Sequence, residues 1–180
     1  RDFEQWRNDR IVAHYQPVKP WCELLLYRQT PLSLRGDWHG ISLLFPMEKL
    51  FEKYVASALR RALPQRARLI SPAASEYLCT HDNRPIFRLE PDLLIEHNGS
   101  RWILDTKWKR INANDRANNF HISQSDLYQL YAYGQKYLSG KGDVALVHPK
   151  SKTFNQPLSC FHYSDSLKLW ALPFDLDTGQ

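Results

Sequence analysis

The sequence predicts an α/β fold: a mixed β-sheet flanked by helices, with further helices at the N-terminus. Three observations predict it. Two apolar runs, Leu93-Leu94-Ile95 and Trp102-Ile103-Leu104, flank Asn98-Gly99, the strongest short-range signal for a two-residue hairpin turn. Two long stretches, from Pro46 to about Leu63 and from Ser123 to about Leu138, read as helices. The run Val144-Ala145-Leu146-Val147-His148, bounded by Gly142-Asp143 and Pro149, follows the second of these as a buried strand follows a crossover helix.

Taken in order, the chain opens with two helical patterns. Phe3, Trp6, Ile11, Val12 and Tyr15 lie at roughly helical spacing before Pro17, and Trp21, Leu24, Leu25 and Tyr27 give a second apolar surface. Residues 31–40 are rich in Pro, Gly and Asp and read as a loop. These elements look like packing, and residues 1–44 form an N-terminal helical segment ahead of a core over 45–180. The chain starts on Arg1 and runs directly into a helical pattern, the expectation for a fragment of a longer protein.

Pro46 opens the next helix, where its missing N–H is harmless. Met47, Leu50, Phe51, Tyr54, Val55 and Ala58 make its apolar stripe, and Glu48 and Glu52 lie together on one flank. Those two acids are either a solvated face or a route for a carboxylate into a site beneath the helix. Arg60 and Arg61 end the helix and Arg66 and Arg68 follow. The run is either a phosphate-contacting strip or the cations favoured at a helix C-terminus. Short apolar segments at 68–70, 76–79 and 86–89, with a turn at His81-Asp82-Asn83, predict strands leading into the central hairpin. Beyond the hairpin, Lys109, Arg110 and Arg116 border a polar, aperiodic loop over 112–121, a candidate for contacting nucleic acid. Ser123 and Asp126 form a weak capping box for the following helix, Gly140 and Gly142 end it, and 167–172 alternates like a last strand.

Chemistry concentrates in the hairpin. If the Asn98-Gly99 turn sets the register, His97 faces Ser100, Glu96 faces Arg101, Leu94 faces Ile103, and Asp92 faces Asp105. Lys107 projects on the same side as Asp105. Like charges directly opposite in a sheet are destabilising, so the pair calls for a cation between them. Oxygen donors suit a hard ion such as magnesium. The plain alternative is an acid at a strand start and a surface ion pair. Against it, Leu94 and Ile103 share the acids' face while Leu93, Ile95, Trp102 and Leu104 fill the other, so both faces look covered.

Pro91-Asp92 followed by Asp105-Thr106-Lys107 on the next strand resembles the PD-(D/E)xK nuclease motif. The blocks from Leu44 to Val55, from Leu89 to Asp92, from Leu104 to Lys109 and from Ser125 to Tyr133 further resemble, in the same order, the McrC family of nuclease subunits from McrBC modification-dependent restriction systems. The resemblance implies a restriction-endonuclease-like core. It implies that Asp92 and Asp105 hold one or two magnesium ions, with manganese able to substitute, and that Lys107 serves the attacking water and the transition state. Related nucleases add a glutamate from an upstream helix, for which Glu52 is a better match than Glu48. Gln129 and Tyr133 resemble the Q-x-x-x-Y element beside the active site of RecB-like members. The implied partners are DNA and a separate AAA+ GTPase, McrB, that reads the methylated cytosine.

Composition fits this reading without carrying it. A net charge of +5, 43% apolar and 13% aromatic residues over 180 positions describe one globular domain with a modest affinity for phosphates. Three widely spaced cysteines, Cys22, Cys79 and Cys160, indicate neither a disulfide framework nor a zinc site. No apolar run is long enough to span a membrane and no signal peptide is visible, so a reducing cytoplasm is the expected compartment. The histidine spacings exclude a zinc hydrolase signature, no serine sits in a nucleophile elbow, and no nucleotide-binding loop is present. Two rivals remain: a free-standing RecB-like exonuclease or resolvase using the same site, and an assembly or DNA-binding module whose acids no longer catalyse.

Overall fold

The computed structural model describes residues 46–73 and 75–179. The expected N-terminal helices and loop, with Trp6, Trp21 and Cys22, lie outside the described residues. Those described belong to one compact unit that begins at Pro46.

Helix α1, Met47–Ala62, forms where the sequence lacks glycine and carries a single β-branched residue, Val55. The Pro46 carbonyl accepts the first helical bond from Leu50 N–H at 3.1 Å. Glu48 in the first turn and Arg60 and Arg61 in the last complement the helix dipole, and Pro64 follows just beyond. Phe51, Val55, Ala56 and Ala58 are buried, whereas Met47 and Leu50 stay exposed at 36% and 49%. The buried stripe thus starts one turn later than the spacing predicts. Burying Phe51 or Val55 contributes roughly 1.5–3 kcal/mol each.

Strands β1 (Arg68–Ile70), β4 (Leu93–His97), β5 (Ser100–Thr106), β6 (Gly142–Pro149), β7 (Phe161–His162) and β8 (Leu167–Phe174) form one sheet in the order β1-β4-β5-β6-β8-β7. The β5–β6 and β6–β8 ladders are parallel and the others antiparallel. Strands β2 (Glu76–His81) and β3 (Arg84–Leu89) pair with each other in a separate two-stranded sheet instead of joining the main one. Both tight turns have two consecutive left-handed residues, Asn98 (φ 49°) with Gly99 (φ 78°) and Asp82 (φ 47°) with Asn83 (φ 61°). This conformation matches the twist of the flanking strands.

Helix α2, Gln124–Tyr137, connects the parallel strands β5 and β6. It covers one face of the sheet, where Leu130, Tyr133 and Tyr137 meet Leu94, Ile103, Val144 and Leu146. Helix α1 covers the other, where Phe51 and Val55 meet Leu93, Ile95, Leu104 and Val147. Parallel strands need both faces covered, which is why β6 reads as an unbroken apolar run. At Gly134 the helix approaches β8 so closely that an added Cβ would stand 2.8 Å from Leu167 Cδ2. The Tyr137 hydroxyl accepts from Ser75 N–H at 3.1 Å and lies 2.8 Å from the Leu89 carbonyl, tying α2 to the base of the β2–β3 hairpin. An α/β fold with a mixed sheet between helices is therefore what the chain adopts. No helix among the described residues is long and apolar enough to cross a membrane.

Candidate active site

Strands β4 and β5 pair in the register that the turn sets, from His97 opposite Ser100 through Leu94 opposite Ile103 to Leu93 opposite Leu104. Asp92 and Asp105 come next. There the ladder stops, because Thr106 gives its backbone N–H and its hydroxyl to Asp92 Oδ2, both at 2.7 Å, rather than to a backbone carbonyl. These two bonds fix one carboxylate oxygen and leave Oδ1 without a protein donor among the described residues.

Asp105 alternates with Leu104 and so faces α2, with only 2% of its surface exposed. Lys107 Nζ lies 2.5 Å from its Oδ2 in an ion pair that partly offsets the burial of this oxygen. Burial, and next the negative charge of Asp92, push the Asp105 carboxyl up to about 6; Lys107 opposes the rise only in part. The two acids resist being charged together.

Helix α2 completes the cluster. Lys107 Nζ donates to Gln129 Oε1 at 3.1 Å, and Gln129 Nε2 donates to the Tyr133 hydroxyl at 2.8 Å. The i, i+4 spacing puts the glutamine and tyrosine on one face, and the tyrosine fixes which end of the amide meets the lysine. Burial, then the nearby Asp105, raises the Tyr133 phenol further above its ordinary range. It stays protonated.

Two buried polar residues at the site escaped the sequence reading. Asp126 does not serve a capping box, and the Ser123 side chain makes no cap bond. Its carboxylate lies 3.2 Å from Lys109 Nζ and 3.9 Å from Lys107 Nζ. The available signal was its position three residues before Gln129. His148, 1% exposed, donates from Nδ1 to the Lys109 carbonyl at 3.1 Å and leaves Nε2 without a partner. Burial lowers its pKa and keeps it neutral. With Lys107 N–H bonded to the Val147 carbonyl at 2.9 Å, the end of β6 holds the backbone of 107–109 in place. A polar residue closing an apolar strand run was the signal for His148.

The other predicted residues lie further out. Glu52 sits on α1, paired with Lys49 at 2.8 Å, and no hydrogen bond or ion pair joins it to Asp92 or Asp105. Lys49 itself faces the acids: Glu52 chiefly, with smaller contributions from Asp92 and Glu90, raises its pKa. Glu48 is exposed. Arg60 and Arg61 close the far end of α1, roughly 16 Å along the axis from Lys49 at 1.5 Å per residue. Arg110 and Arg116 are exposed, the latter opening the 3-10 segment Arg116–His121.

The donors fit a hard divalent cation. Asp92 Oδ1 has no protein donor among the described residues, and two neighbouring carboxylates favour an ion with oxygen ligands. No cluster of three or more Asp, Glu, His or Cys donors occurs among the described residues. Two acids would have to be supplemented by backbone oxygen, water or substrate phosphate, as magnesium permits.

No curated protein matches the chain. Among solved structures it is similar to a chain of the refined half-complex from the tetradecameric assembly of Thermococcus gammatolerans McrB AAA+ hexamers with bound McrC. The TM-score is 0.61 at 19% identity, over 99% of this chain and 37% of that one. The chain therefore spans little more than a third of that relative's length, and at this identity the likeness is one of fold. The family model described as McrBC 5-methylcytosine restriction system component matches residues 1–149, a span that includes Asp92, Asp105, Lys107, Gln129, Tyr133 and His148, and the chain belongs to that family.

Proposed function

We propose that this domain is the magnesium-dependent DNA endonuclease of a modification-dependent restriction complex. The observation that carries the reading is the cluster of Asp92, Asp105 and Lys107, in which a buried carboxylate paired with the lysine stands beside a second acid whose charge it resists. A bound magnesium or manganese ion would polarise the scissile phosphate and make water a better nucleophile. Asp92 and Asp105 would hold it, Asp92 oriented by its two bonds from Thr106. Lys107 would offset the negative charge that grows on the phosphoryl oxygens. Gln129, held by Tyr133, keeps the lysine ammonium aimed at the reaction centre. Glu52 with Lys49 stands at the neighbouring end of α1 as a further acid for the site.

The family and the likeness to an McrB-bound assembly support an AAA+ GTPase of the McrB kind as partner, and 5-methylcytosine as the modification that licenses cutting. A free-standing RecB-like nuclease is the second reading, favoured by the Gln129–Tyr133 contact at Lys107. Cleavage of methylated plasmid by the full-length protein, with and without the GTPase and with magnesium or chelator, tests both. Cutting should require metal and partner, and Asp105→Ala should abolish it while leaving the circular-dichroism spectrum unchanged. Cleavage by Asp105→Ala, or in chelator, overturns the nuclease site. Rapid digestion without the GTPase selects the free-standing enzyme.

A further inference from the structure

Beyond Lys107 the chain runs along a groove of about 610 Å³ whose walls are Trp108, Lys109 and Arg110 on one side and the turn Lys150, Lys152 and Thr153 on the other. Four of the nine residues that line it are cationic. Lys109 is paired with Asp126 at 3.2 Å and Lys150 with Asp175 at 2.7 Å. Arg110 and Lys152 are exposed and have no ion-pair partner among the described residues. The groove is left positive.

Both walls are fixed. Ser151 and Phe154 exchange two backbone hydrogen bonds, at 2.9 Å and 3.1 Å, and the Phe154 ring is fully buried. Ala113 N–H donates to the Thr153 carbonyl at 2.9 Å, so the turn is bolted to the segment that follows Arg110. On the other wall, Trp108 packs on Phe51 with ring centroids 5.5 Å apart, and His148 holds the Lys109 carbonyl. Arg110 is three residues from Lys107, at most roughly 10 Å of chain, or about three steps of one DNA strand.

We propose that this groove binds the sugar-phosphate backbone of the DNA strand flanking the cut, with Arg110 and Lys152 as its phosphate contacts. The inference rests on the nuclease reading for its ligand and deepens it by giving the substrate a path. Charge complementarity and continuity with Lys107 select DNA as the occupant. The contacts are to phosphate, so they position the strand without reading bases.

The test is binding of a fluorescein-labelled duplex to the full-length protein in calcium, read by fluorescence anisotropy across about 50–200 mM salt, the range over which phosphate contacts dominate. For Arg110→Gln/Lys152→Gln, affinity should fall about tenfold or more at the lower salt, and the slope of log K against log salt should flatten by about two. Lys136→Gln/Lys141→Gln, which removes two charges at the opposite end of β6, should leave the slope unchanged. An unaltered slope in the groove variant, or an equal flattening in the control, overturns the proposal. Asp105→Ala keeps the two readings separable: if it still cuts, the nuclease reading fails whatever the groove does. If it binds normally without cutting while the groove variant keeps its slope, only the groove fails.

Discussion

Asp105 carries the largest electrostatic load in the site. Its carboxyl is raised in the folded protein, so the fold holds a proton that the unfolded chain has already released, and stability falls as pH rises from about 4 to about 6. Above that window the metal-free protein bears the full cost, on the order of 3 kcal/mol for a group this buried. Denaturant unfolding in chelator at pH 4.5 and pH 7 should show this decline in wild type and not in Asp105→Asn. Magnesium at pH 7 should restore most of the difference by binding only the folded pair. A second expectation concerns Lys107, which in the proposed mechanism acts on charge that exists only in the transition state: Lys107→Ala should lower kcat by about 10²–10³ with little change in DNA affinity. Matching losses in rate and affinity would make it a simple phosphate contact. Asp92, Asp105 and Lys107 were legible in the sequence because a single two-residue turn sets their register. Asp126 and His148 were not, since Asp126 reaches Lys107 and His148 reaches the Lys109 carbonyl only through the crossover that sets α2 and β6 beside β5, and no local pattern encodes that meeting.

Elements differ in the same way. The helices at 47–62 and 124–137, the hairpin and the strands β6 and β8 were legible because each shows its period or its turn residues within a short window. The separation of β2 and β3 into their own sheet was not, nor was the short edge strand β7. Which strand pairs with which depends on contacts far apart in sequence, and β2 and β3 carry no continuous apolar face that would announce the answer. Gly134 shows how an element's placement governs the chemistry it carries. Gly134→Val would force branched atoms into Leu167 and lift α2 from the sheet, next to Tyr133 and five residues from Gln129. We expect destabilisation of about 1–3 kcal/mol and slower cleavage at saturating DNA. Gly134→Ala should be milder, because the opposing atoms are the ends of one leucine. Thermal unfolding of the two variants measures the first effect, and unaltered turnover in a destabilised Gly134→Val would show that α2 is not what aims Lys107.

For the whole molecule the expectation is dependence on company. In the proposed reading the domain has acids for cutting and a groove for phosphates, but its net charge of +5 supports only weak, salt-sensitive binding. Isolated and incubated with methylated plasmid at near-physiological salt, it should cut poorly, and adding the GTPase should raise the rate at least about tenfold, a difference of 1.4 kcal/mol or more in barrier. Agarose-gel kinetics with and without the partner decide the matter. The parallel pairing of β5, β6 and β8 has a further consequence, one of descent. Their carboxyl ends, Thr106, Pro149 and Phe174, share one edge, and the connections over 107–123 and 150–160 depart from it. Away from Trp108 and Phe154, which pack inward, insertions and replacements in these connections leave both core layers untouched. A lineage can therefore inherit the sheet and its acids intact while rewriting the exposed surface beside them, so that on the proposed reading a new taste in DNA would need only an exchange of loops on an old frame.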